Sequence, residues 1–99
     1  MKRVVTVVYG DFEWDEAKAV ANLRAHGIAF EEAADALATN PHEISVKGPT
    51  DPSRVVSLVM SYKFRVLYVV STEKGSRTRL ISARKANTHE QRTYAQEGS

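Results

Sequence analysis

Cysteine is absent from the 99-residue chain, which excludes disulfides and thiolate zinc sites. No apolar run approaches the roughly 20 residues of a membrane span. The run Val4 to Val8 is too short, and lacks the flanking pattern, for a signal peptide, so the chain reads as cytoplasmic. No internal repeat, low-complexity segment, phosphate-cradling glycine loop or nucleophile elbow occurs. Three scattered histidines and carboxylates without ligand spacing make no metal site. No cofactor is expected.

What is present fits one domain over residues 1–99. Hydrophobic residues make up 42% and charged residues 26%, ordinary values that argue against disorder. The net charge of +2 hides an asymmetry. Residues 1–53 carry five Lys/Arg against nine Asp/Glu, a net −4, and residues 54–99 carry nine against three, a net +6. A basic half can meet phosphates, and an acidic half can hold a basic partner or oppose the basic half internally. A solvated surface with uneven charge gives the same count.

The hydrophobic pattern predicts an α+β chain. Strands are expected at 3–9, 43–47, 54–61, 64–72 and 77–84, the run Val66 to Val70 being apolar on both sides as a central strand is. A first helix over Trp14–His26 would end at Gly27 and turn Ala17, Ala21 and Ala25 inward. A second over Phe30–Leu37 has its apolar residues at i, i+3, i+4 and i+7 and stops at Asn40-Pro41. Residues 48–53 read as a loop. The last helix starts at Asn87, with Glu90 completing a capping box. On helix one, Asp15, Lys18, Asn22 and His26 fall within about 80° of arc. Such a stripe suits anion binding or acid–base chemistry, or equally a solvated face with His26 at the negative end of the helix dipole.

Two blocks carry a resemblance. Phe12-Glu13-Trp14-Asp15-Glu16-Ala17-Lys18, with Asn22, His26-Gly27-Ile28-Ala29-Phe30 and Glu32-Ala33, is similar to the opening signature of the BrnT-type toxins. Arg79-Leu80-Ile81-Ser82-Ala83-Arg84-Lys85-Ala86, with Glu90 and Tyr94, is similar to their closing signature. The family-like region spans 12–94, and residues 1–10 add an N-terminal strand, either an extra edge or a lengthened first strand. The resemblance implies a RelE-like fold: a small antiparallel β-sheet packed against two N-terminal helices and one C-terminal helix. It also implies a metal-independent endoribonuclease that inhibits translation, with RNA as substrate and a cognate antitoxin protein as partner. Operator DNA would be reached through that antitoxin. A family pattern of Gly-x-Ser-x-x-Gly-Arg falls on Val59, Ser61, Phe64 and Arg65, so both glycines are replaced here.

Cleavage of this kind needs a base for the 2′-hydroxyl, cations for charge building on the phosphoryl oxygens, and an acid for the 5′-oxygen. Arg65, Arg79 and Arg84 are the candidates for the charge and Glu73 for the base, though a hairpin glutamate is usually just solvated. Lys18, His26, Arg54 and Lys85 are candidate RNA contacts. Tyr62, Phe64 and Tyr68 offer stacking surfaces or core packing. His42 and His89 read as surface residues. A four-residue loop at 73–76 would set Arg65 opposite Arg84, a like-charge pair that an RNA phosphate could bridge. Strict alternation, however, sends Arg79 and Arg84 to opposite faces of their strand. The competing reading is a catalytically inactive, toxin-derived module that binds a protein partner or nucleic acid.

Overall fold

A computed structural model describes residues 3–40, 42–46 and 51–97. In chain order the elements are β1 (Thr6–Tyr9), β2 (Phe12–Asp15), α1 (Glu16–His26), α2 (Phe30–Thr39), β3 (Ile44–Val46), β4 (Arg54–Met60), β5 (Val66–Lys74), β6 (Arg77–Lys85) and α3 (Thr88–Glu97). The expected loop residues 48–50, Pro41 and the end of the expected strand at Lys47 lie outside the described residues. The strands form one sheet in the order β1-β2-β6-β5-β4-β3.

The sheet is mixed, not purely antiparallel, because β2 runs parallel to β6 and pairs Phe12 with Thr78 and Glu13 with Arg79. Phe12 to Asp15 is thus strand rather than the approach to a helix. Alternation explains why: Trp14 is buried and Phe12 packs beside it in the core under α1 and α2, while Glu13 points to the other face. The helix begins one residue past Asp15, whose carboxylate accepts from the N–H groups of Ala17 and Lys18 at 2.8 and 3.2 Å. It ends at Gly27, in the left-handed region with φ 71°, where its N–H donates to the Leu23 carbonyl. β1 is an edge strand, joined to β2 through Gly10 and Asp11.

One face of the sheet, here face A, carries α1 and α2 over a core of Trp14, Ile28, Phe30, Ala33, Val59, Leu67, Val69, Leu80 and Ala83. The Trp14 and Phe30 rings meet edge-on at 5.7 Å. Val59, at one of the replaced glycines, fills this core. Face B carries α3, with Leu58, Ala86 and Tyr94 buried together. The capping box forms as expected: Asn87 Oδ1 accepts from the Glu90 N–H, and Glu90 Oε1 from the Asn87 N–H, both at 2.8 Å.

The expected inward face of α1 is wrong. Ala17, Ala21 and Ala25 are exposed, and Asn22 is the buried residue. Its amide nitrogen donates to the carbonyls of Ile28 and Ala83, and its amide oxygen accepts from the Ala83 N–H, at 2.8–3.0 Å. β2 leaves the sheet at Asp15, so among the described residues no strand lies beside Ala83 on that side, and the Asn22 carboxamide takes the place of the missing peptide group.

The final hairpin also differs. Lys74 faces Arg77 across a two-residue turn at Gly75-Ser76, and a bulge between Val70 and Ser71 leaves Ile81 as an extra residue on β6. Arg84 therefore faces Tyr68, and the expected Arg65–Arg84 pair does not form. The bulge also reverses alternation, so that Leu80 and Ala83 both enter the face A core. Arg79 and Arg84 consequently share face B.

Replacing Asn22 with alanine should cost about 2–4 kcal/mol in denaturant unfolding, because three buried backbone groups lose their partners. Ala21→Gln, on the exposed side of the same helix, should stay within about 0.5 kcal/mol of the parent.

Candidate functional site

Face B gathers the cations into cross-strand rows. In one row Glu13, Arg79, Thr72 and Arg54 stand side by side on β2, β6, β5 and β4. Glu13 is buried and ion-paired to Arg79, with Arg77 at 4.0 Å on its second oxygen. Arg54 pairs with Asp51 at 3.5 Å. Lys74 and Arg77 extend the same face toward the hairpin turn. A second row holds Arg84, Tyr68, Leu58 and Ile44. Tyr68 and Thr72 are four residues apart on β5, so the rows are separated by about 13 Å.

The second row is the more elaborate. The Arg84 guanidinium stacks 3.8 Å above the centre of the Tyr68 ring. Its Nη1 and Nη2 donate to the two oxygens of Glu90 at 2.9 and 3.0 Å, a bidentate grip that fixes its plane. Glu90 is itself held by the Asn87 N–H. These hydrogen bonds, with that from Arg84 foremost, keep the Glu90 carboxyl below its ordinary value and raise the Arg84 guanidinium. Beside them opens a groove of about 450 Å³, lined by Ile44, Val46, Leu58, Tyr68, His89 and Glu90. It has an apolar floor, an aromatic ring, an imidazole and a carboxylate, and a fixed cation lies over that ring. That combination can hold a base and place a phosphate against an arginine.

The other candidates lie elsewhere. Arg65 is on the face A side, where its Nε and Nη2 donate to the two oxygens of Glu32 at 2.8 and 2.6 Å. Glu32 is only 1% exposed and also accepts from the Ser61 hydroxyl at 2.6 Å. The Arg65 bond leads the causes that hold the Glu32 carboxyl below its ordinary value. Ser61 and Arg65 thus survive from the family pattern as partners of one buried carboxylate, Glu32. Glu73 alternates to face A, opposite Thr78, and is exposed. Lys18 and His26 are exposed on α1, and Lys85 is exposed beyond Arg84. The structure therefore unites Arg54, Arg79 and Arg84 on face B and leaves Arg65, Glu73, Lys18, His26 and Lys85 off it.

Sequence reasoning offered Tyr68 as a stacking surface or a core residue without its partner Arg84, and missed His89 as a groove residue and Lys74 and Arg77 as members of the cationic face. The Tyr68–Arg84 pairing follows from the bulge, which no local pattern announces. His89 carried one usable signal, its place beside the capping-box glutamate in the first turn of the helix that covers the face.

Stability should depend on pH through Glu32 and Glu90. Both folded-state pKa values lie below the ordinary 4.5, so their contribution is present above about 4.5 and is lost as pH falls through the lowered values. Denaturant unfolding as a function of pH should show stability falling below about 4.5, with a shallower fall in Glu90→Gln.

No curated protein matches the chain. Among solved structures, the ribonuclease toxin BrnT of Brucella abortus is similar, with a TM-score of 0.58 and 24% identity, over 76% of this chain and 94% of that one. At that identity the likeness concerns the fold. A family model for the ribonuclease toxin BrnT of type II toxin–antitoxin systems matches residues 14–90, from the buried Trp14 to the Glu90 that grips Arg84. With most of its length so matched, the chain belongs to the BrnT family of ribonuclease toxins.

Proposed function

We propose that the protein is a metal-independent endoribonuclease that cleaves RNA on face B and so inhibits translation. A cognate antitoxin neutralises it by covering that face, and the pair reaches operator DNA through the antitoxin. The observation that carries this reading is the Arg84 guanidinium, stacked on Tyr68 and gripped by Glu90, beside a groove that also presents His89. Attack of a 2′-oxygen on the adjacent phosphorus breaks the bond to the 5′-oxygen and leaves a cyclic phosphate. Arg84 lies where charge on the phosphoryl oxygens needs a fixed donor. His89 supplies the imidazole that takes the proton from the 2′-hydroxyl and returns one to the 5′-oxygen. Arg79, Arg77, Lys74 and Arg54 carry the flanking phosphates.

The second reading is an inactive module that binds a protein partner or nucleic acid. It draws on the carboxylates: Glu13 already occupies Arg79, and Glu90 already occupies Arg84, so an incoming phosphate must compete with both.

Purified protein should cleave single-stranded RNA in the presence of EDTA. Arg84→Ala should lower the rate by about 10²-fold or more. Arg79→Ala should chiefly weaken binding and flatten its salt dependence. Soluble wild-type protein that binds RNA without turnover would sink the nuclease reading in favour of the module. Induced expression in a bacterial culture should arrest growth, and soluble Arg84→Ala should relieve the arrest.

A further inference from the structure

The turn between β4 and β5 holds the one described non-glycine residue with positive φ, Phe64 at 59°. Glycine takes that conformation freely, whereas a bulky side chain there is strained. Nothing in the fold offsets the strain by burial, since Phe64 is 87% exposed. Tyr62, two residues earlier, is 62% exposed, and the Lys63 side chain between them is 54% exposed. Strain of this sort, kept at an exposed aromatic, points toward a role outside the fold.

The turn is held from beneath. The Phe64 N–H donates to the Ser61 carbonyl at 2.9 Å, and the Ser61 N–H to the Arg65 carbonyl at 3.0 Å. The Lys63 N–H donates to the Ser61 hydroxyl oxygen at 3.2 Å, and that hydroxyl donates to buried Glu32. The two aromatic rings are therefore carried on a fixed base. Residues 61–67 contain two cations and no acid; Glu32, the carboxylate beneath, is bonded to Arg65 at 2.6 Å and has the Lys63 ammonium at 3.9 Å, a loose pair that a phosphate can displace. The turn also lies at the Arg84 end of the sheet: the Ala86 N–H donates to the Val66 carbonyl at 2.9 Å, and exposed Lys85 faces Leu67.

We propose that Tyr62, Lys63 and Phe64 form a stacking platform for unpaired bases of the RNA strand that passes Arg84, with Lys63 and Lys85 meeting the phosphates between them. The proposal rests on the ribonuclease reading and extends its substrate path beyond face B. Base stacking on exposed aromatics with interleaved cations is the chemistry that suits such a strand.

The test is binding of a short fluorescein-labelled 2′-O-methyl RNA, which has no free 2′-hydroxyl and is not cleaved. Phe64→Gly suits the backbone and retains the fold, so it isolates the ring. It should weaken binding about tenfold, as loss of one stacked base does, and Phe64→Trp should restore it. Binding by Phe64→Gly within about twofold of wild type overturns the platform, whether or not that variant also loses the antitoxin. Loss of binding in both Phe64→Gly and Phe64→Trp overturns it as well, since stacking tolerates either ring. Cleavage of unmodified RNA by the wild type separates the two readings. A wild type that binds through Phe64 but never cleaves removes the nuclease and leaves the platform. Arg84-dependent cleavage with Phe64-independent binding does the reverse.

Discussion

The fold depends on a side chain standing in for a strand. β2 pairs with β6 only at Thr78 and Arg79 and then turns away at Asp15 into α1, which leaves the outer edge of Ala83 without a backbone partner. Asn22 closes that edge with both ends of its carboxamide, and a third bond to Ile28 draws in the chain that leads to α2. A short acceptor–donor side chain at this point permits the chain to pass from sheet to helix without stranding buried polar groups. It also explains how α1 seats itself with so little apolar surface turned inward.

The bulge beside this point has the opposite character, since it breaks regularity to create a surface. Without Ile81 as an extra residue, Arg79 and Arg84 would face opposite sides of β6. With it, the core keeps Leu80 and Ala83 while the cations share the outer face. Each cation is then met by a carboxylate from a distant part of the chain or from a helix terminus: Glu13 for Arg79, Glu90 for Arg84. Buried and half-buried ion pairs add little net stability, because desolvation offsets attraction. Their value here is orientation, holding planar guanidinium groups in one attitude before any phosphate arrives.

Features encoded within a few residues could be read from the sequence. Gly27 stops α1, Asn87 and Glu90 start α3, and the Val66 to Val70 run is an interior strand flanked by β6 and β4. What could not be read depends on partners far along the chain. Phe12 to Asp15 is a strand because Thr78 and Arg79 accept it, four residues being too few to show a period. Asn22 looked like one member of a polar stripe because its partner Ala83 is 61 positions away. The same limit governs the site: Arg79 and Arg84 were legible as chemistry, but their common face, and the departure of Arg65 to Glu32, were matters of register. The glycine-to-phenylalanine change at Phe64 was visible as a difference, and only the backbone angle gives it meaning.

The parallel pairing of β2 with β6 also sets an order in time. Its ion pair joins residues 66 positions apart, and loop closure over such a span must be met before the contact stabilises anything. As the polypeptide is synthesised, β2 has no parallel neighbour until the final hairpin emerges. Arg84 is fixed later still, once Glu90 and the last helix follow. The residues of α1, α2 and the first three strands thus leave the ribosome before those that organise the cationic surface.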